Sequence, residues 1–189
     1  AGQAGKVVPA FVDVDVDIEK LSNHPSISDE KKFFCVIGES LAPENIHTNN
    51  ILIADIITPT YDTSDLKCGA FVIFHIPSDG ESENVIDEKN IDLKIRKFIR
   101  VLDLTESVED AWAKVREKDS CAFDSTPTEM FRTKYQKAQE RISNSEKNDV
   151  LISITYTAEN GREYSFHSRK RLYAKVVGVI DNNNKIRLI

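Results

Sequence analysis

Apolar residues in this chain come in short runs, each bounded by charged or turn-forming residues, and that pattern selects strands over long helices. Val12-Asp-Val-Asp-Val-Asp-Ile18 alternates strictly, with the valines and Ile18 on one face and Asp13, Asp15 and Asp17 on the other. Further strands are expected at 33–37, 51–57, 70–76, 93–104, 150–157, 164–168, 172–180 and 186–189. Glu159-Asn-Gly-Arg162 carries the Asn-Gly pair that tolerates positive φ in a tight hairpin, and Asp181-Asn-Asn-Asn-Lys185 is placed to turn another. The segment 77–90, rich in Pro, Ser, Gly and Glu, reads as an exposed loop.

One stretch departs from this pattern. Ser107-Val-Glu-Asp110 is a capping box, and Val108, Trp112 and Val115 follow at helical spacing. Thr126 as cap, Pro127 in the first turn and Glu129 start a second helix, with Phe131, Tyr135, Ala138 and Ile142 as its apolar stripe. The stripe packs on the sheet or serves as a protein-partner face through Phe131, Tyr135 and Ile142. The expected architecture is a single mainly β domain over 1–189, with antiparallel strands and a two-helix insertion at about 105–147. The 189 residues suit one domain with such an insertion.

Charge narrows the function classes. With 25 Lys+Arg against 31 Asp+Glu the net charge is −6, which disfavours a general phosphate-neutralising surface. No helix-turn-helix pattern occurs, so direct nucleic-acid binding is not expected. No apolar run reaches the roughly 20 residues that span a bilayer, and the first residues lack a signal-peptide pattern. No membrane partner is expected, and a cytoplasmic or virion-associated setting is. Cys35, Cys68 and Cys121 are widely spaced without a Cys-x-x-Cys pair, and read as reduced, buried thiols.

No metal site or cofactor is expected. His24, His47, His75 and His167 show no ligand spacing with each other or with the cysteines. Asp13-x-Asp15-x-Asp17 begins like a calcium loop, but Ile18 and His24 stand where such a loop needs Gly and Glu, so a solvated strand face is expected. A Ser-His-Asp arrangement of Ser40 with His47 or His167 has no spacing behind it. Arg169-Lys-Arg171 reads as a solvated strand end.

The segment with chemistry is Val36-Ile-Gly-Glu-Ser-Leu-Ala-Pro43, followed by Ile46-His-Thr-Asn-Asn-Ile-Leu-Ile-Ala54 and Cys68-Gly-Ala-Phe-Val-Ile-Phe74. It resembles the serine–lysine peptidase superfamily, namely the LexA/UmuD-like self-cleaving domains and, more distantly, type I signal peptidases. Their pattern is Gly-Asp-Ser-Met-x-Pro, Ile-x-Asp-Gly-Asp and Gly-Asp-x-Val-Val-Val. Gly38, Ser40, Pro43, Ile46 and Gly69 match it, whereas Thr48-Asn49-Asn50 replaces Asp-Gly-Asp and one extra residue follows Pro43. The resemblance implies a LexA-like β-clip or partly open barrel, with Ser40 as nucleophile and a neutral lysine as base.

Ala4-Gly5 lies 36 residues before Ser40, where such domains place their scissile Ala-Gly bond. Ala174-Lys-Val-Val-Gly-Val-Ile180 resembles their closing strand. Laid directly on the lysine strand of these domains, Leu93-Lys-Ile-Arg-Lys-Phe-Ile-Arg100 puts Arg96 at the base position, and arginine does not deprotonate. Strand alternation instead puts Lys97 on an apolar face with Leu93, Ile95, Ile99 and Val101, making it the expected base and Lys94 the alternative. Two function classes follow. One is a LexA/UmuD-like autopeptidase-type domain, active or degenerate. The other is a non-enzymatic structural or interaction protein, for example a phage or virion assembly component. Both anticipate a protein partner or self-association.

Overall fold

The computed structural model describes residues 5–10, 31–77, 91–157 and 161–189. The expectations for Val12–Ile18, Ala4, the loop after Pro77 and the Glu159-Asn160 turn residues lie outside them. Among these residues nine strands are present: β1 (Lys6–Pro9), β2 (Lys31–Val36), β3 (Ile51–Ile56), β4 (Phe71–Pro77), β5 (Ile91–Leu102), β6 (Val150–Tyr156), β7 (Arg162–Ser168), β8 (Leu172–Ile180) and β9 (Ile186–Leu188). Two α-helices, α1 (Val108–Lys118) and α2 (Glu129–Arg141), sit between β5 and β6. Among the described residues the molecule is therefore mainly β with an antiparallel sheet, as the runs of apolar residues require.

The strand order is β1-β2-β3-β8-β4-β5, and β1 also pairs with β5, so six strands close into an antiparallel barrel. The barrel is closed, where the resemblance left it partly open. Its interior takes Val7, Phe34, Leu52, Ala54, Ile73, Ile95, Ala174, Val176 and Val179, at least one from every barrel strand. β6 and β7 extend from β5 as a hairpin and β9 flanks β8. β1 and β6 share one edge of the long β5: β1 takes Leu93 and Lys94, and β6 takes residues from Lys97 to Leu102.

The β6–β7 hairpin pairs Tyr156 with Arg162, and the Thr157 N–H donates to the Gly161 carbonyl at 2.8 Å. Its connection is therefore longer than the two-residue Asn-Gly turn expected, which would set residue 159 opposite Arg162. The Asp181 turn is present as well, with Asn184 at φ 60° and the Asp181 N–H donating to the Lys185 carbonyl at 2.9 Å.

The helices cover one face of this hairpin. Ser107 caps α1 by accepting from the Asp110 N–H. The α2 cap is Thr128, two residues after the expected Thr126, and it accepts from the Phe131 N–H. Phe131 is held in the core, so the hydroxyl three residues before it is the one positioned to cap. Phe131, Tyr135 and Ile142 are all buried, packed with Trp112, Ile152, Tyr164 and Phe166. The stripe is core, and these three residues offer no face to a partner.

A bulge in β5 breaks the alternation expected along 93–101. The pairing with β6 shifts between Phe98 and Arg100, leaving Ile99 as the extra residue. Ile99 and Leu102 consequently join the helix-covered core, and Val101 packs with Phe98 in a separate cluster. Lys97 and Val101 do not share one continuous apolar face.

Candidate functional site: the Ser40 turn and the β1–β5 seam

The Ser40 turn leaves β2 through Gly38, at φ +96°, and continues into a short 3-10 turn at Ala42–Glu44. It is joined to the loop that precedes β3. The Thr48 hydroxyl accepts from the Gly38 N–H and donates to the Val36 carbonyl, and the Asn49 N–H donates to the same carbonyl. Asn49 occupies the position of Gly in the Asp-Gly-Asp pattern and has φ 69°, a left-handed geometry that asparagine tolerates. Asn50 is buried, and its side chain accepts from the His47 N–H and donates to Asn182. The substituted triplet therefore still builds a tight turn.

Register, more than sequence proximity, assembles the remaining pieces. β1 lies between β2 and β5, with Val7 opposite both Val36 and Leu93. Just before it, Gly5 is buried at φ +73°, and its carbonyl accepts from the Ile95 N–H at 2.8 Å. A methyl group placed on Gly5 would lie 3.4 Å from Ser40 Oγ and 2.6 Å from the Ile95 carbonyl, and it would collide with the Arg96 guanidinium. Ser40, Gly5 and Arg96 thus converge. The Ser40 carbonyl accepts from the Tyr156 N–H at 3.0 Å, and Ser40 Oγ makes no hydrogen bond among the described residues. Ala4, the other half of the expected scissile bond, lies outside them.

The cations of β5 divide between two environments. Arg96 is 6% exposed, and its Nη1 donates to the Ile95 carbonyl. Burial pushes its pKa down to about 10, against the pull of Glu163. Lys94 is also buried, and burial, then the Arg96 charge, push its pKa below the ordinary lysine value. Lys97 is only half-buried and donates to Glu44 Oε1 at 2.6 Å, not to Ser40.

That contact opens a polar chain which sequence reasoning missed. Tyr156 donates to the same Glu44 oxygen at 2.7 Å, and Arg162 approaches the Tyr156 hydroxyl at 3.4 Å. Arg162 also donates to Asp119, which accepts from the Tyr164 hydroxyl. Burial raises the Glu44 pKa, but the Lys97 and Tyr156 hydrogen bonds outweigh it and leave the carboxyl below its usual value. Burial, then Glu44, push Tyr156 up to about 12. Its members come from four separate parts of the sequence, Glu44, Lys97, Asp119 and the β6–β7 hairpin, so no local motif signals the chain.

The histidine alternatives are engaged elsewhere. The His47 ring nitrogens meet Glu39 at 2.9 Å and Asn45 at 3.2 Å, and His167 packs on Phe74 with ring centroids 4.7 Å apart. The Arg169–Arg171 cluster is not a solvated strand end. It forms a 3-10 turn in which Arg171 is fully buried and Arg169 donates to the Thr58 and Tyr61 carbonyls. The cysteines are free thiols, but Cys68 and Cys121 are exposed and Cys35 is half-buried, so the expectation of buried thiols fails. Among the described residues no cluster of His, Cys, Asp or Glu is arranged to hold a metal ion, and no helix is long and apolar enough to cross a membrane. No family model, curated protein or solved structure matches this chain.

Proposed function

We propose that this chain is a serine–lysine autopeptidase-type domain of the LexA/UmuD-like kind, holding its own N-terminal segment against the nucleophile turn in a form that does not hydrolyse. The observation that carries this reading is the packing of Gly5 against Ser40 Oγ, across 35 residues of sequence. A peptide held as an added strand, with its carbonyl fixed by a backbone N–H, is positioned as a substrate is. Backbone N–H groups of the Ser40 turn would supply the oxyanion hole.

The missing part is a base. Ser40 Oγ can attack the Ala4 carbonyl only if its proton passes to a neutral group, which later returns a proton to the Gly5 nitrogen. Arg96 stands beside Gly5, and at pKa about 10 it remains protonated at pH 7. Lys97 is held by Glu44 instead.

Intact mass followed over time from pH 7 to 10 tests the reading on wild type, Arg96→Lys and Arg96→Lys/Ser40→Ala. The expected result is a fragment beginning at Gly5 from Arg96→Lys alone, formed faster as pH rises. Serine-dependent cleavage of the wild type at pH 7, where Arg96 is protonated, would show that Lys97 or Lys94 already serves as base. An uncleaved but folded Arg96→Lys protein would favour the second reading, a non-enzymatic structural or interaction protein. That reading draws support from the Lys97–Glu44 pair and from the exposed Ile186 and Leu188 on β9.

A further inference from the structure

We propose that Cys68 and Cys121 form a reversible oxidation site, an intrachain disulfide joining the end of α1 to the turn that enters β4. The two thiols are 53 residues apart in sequence, and both are exposed. Cys68 Sγ donates to the Lys118 carbonyl at 3.4 Å, so it already touches the last residue of α1. Cys121 follows three residues later, a span of about 10 Å at most if fully extended. The span is shorter here, because the Ala122 N–H donates to the Asp119 carbonyl and folds 119–122 into a tight turn. The Arg162 guanidinium lies within electrostatic reach of the Cys121 sulfur. Cys35 sits on β2 and is half-buried, with its thiol against the Val36 carbonyl.

The location gives the bond a structural consequence. Gly69, next to Cys68, lies against the Lys97 side chain, and Asp119, two residues before Cys121, anchors Arg162 and Tyr164. The disulfide would connect both ends of the polar chain that runs through Glu44 and Tyr156. The co-reactant is a small disulfide of the glutathione class. One protein thiolate attacks it and releases one thiol. The second protein thiolate then displaces the other thiol, so two cysteines are oxidised as one disulfide is reduced.

The test treats the full chain with oxidised glutathione, followed by intact mass and non-reducing peptide mapping. The wild type and Cys35→Ser are expected to lose about 2 Da, the two hydrogens given up when a disulfide forms, with Cys68 and Cys121 in one linked peptide, reversed by dithiothreitol. Cys68→Ser is expected to carry a glutathione adduct on Cys121 and no internal bond. Persistent separate adducts on Cys68 and Cys121 in the wild type, a bond to Cys35, or crosslinking between copies would each overturn the proposal.

Discussion

Gly5 and Gly38 both hold positive φ, at +73° and +96°, yet a methyl group added to each meets different surroundings. At Gly38 it enters open space, so Gly38→Ala carries only the backbone penalty, about 1–2 kcal/mol. At Gly5 it strikes the Ile95 carbonyl and the Arg96 guanidinium as well. Gly5→Ala is expected to cost about 2–4 kcal/mol, and urea unfolding of the two variants should rank them in that order. His167 supplies a second effect at this scale. Burial, then the Arg96, Arg141 and Arg171 charges, hold its pKa well below the ordinary value. A base with a depressed folded pKa stabilises fully above its unfolded value of about 6.5, and that stability is lost as pH falls. Below pH 6.5 the unfolding free energy should therefore drop by up to about 1.4 kcal/mol per pH unit on account of His167. His167→Gln should flatten that part of the slope and leave the share of His75, whose pKa burial also lowers. An unchanged slope would contradict the buried neutral imidazole.

The helical pair shows what an element's environment does to a sequence pattern. Phe131 on α2 is fully buried, whereas Phe123, in the connection between the helices, is 76% exposed. Phe131→Ala should cost about 3–5 kcal/mol by chemical denaturation, and Phe123→Ala should stay within about 0.5 kcal/mol of wild type. A small loss at Phe131 would revive the partner-face reading. The strands were legible because their apolar runs fill both sides of a sheet, and β8 spans the expected 172–180 without adjustment. β1 was not, since Lys6-Val-Val-Pro9 is too short to show a period. The β5 bulge escaped for a related reason, because a strict period of two cannot represent one extra residue. Thr126 and Thr128 offer the same hydroxyl, and only the burial of Phe131 distinguishes them.

Across the whole molecule, the local part of the candidate site was readable and the non-local part was not. The Ser40 turn lies within one stretch of chain, so Gly38, Ser40 and Pro43 marked it. The approach of Gly5 and Arg96 depends on the pairing of β1 with β5, a register that no single segment encodes. The Lys97–Glu44–Tyr156–Arg162–Asp119 chain needs the barrel, the hairpin and the end of α1 in place together. β1 also closes the barrel, and every one of its pairing residues lies on the carboxyl side of the Ala4–Gly5 bond. Scission there would leave all the rungs of that zipper engaged. The tether would part while the cylinder kept the staves that β1 shares with β2 and β5.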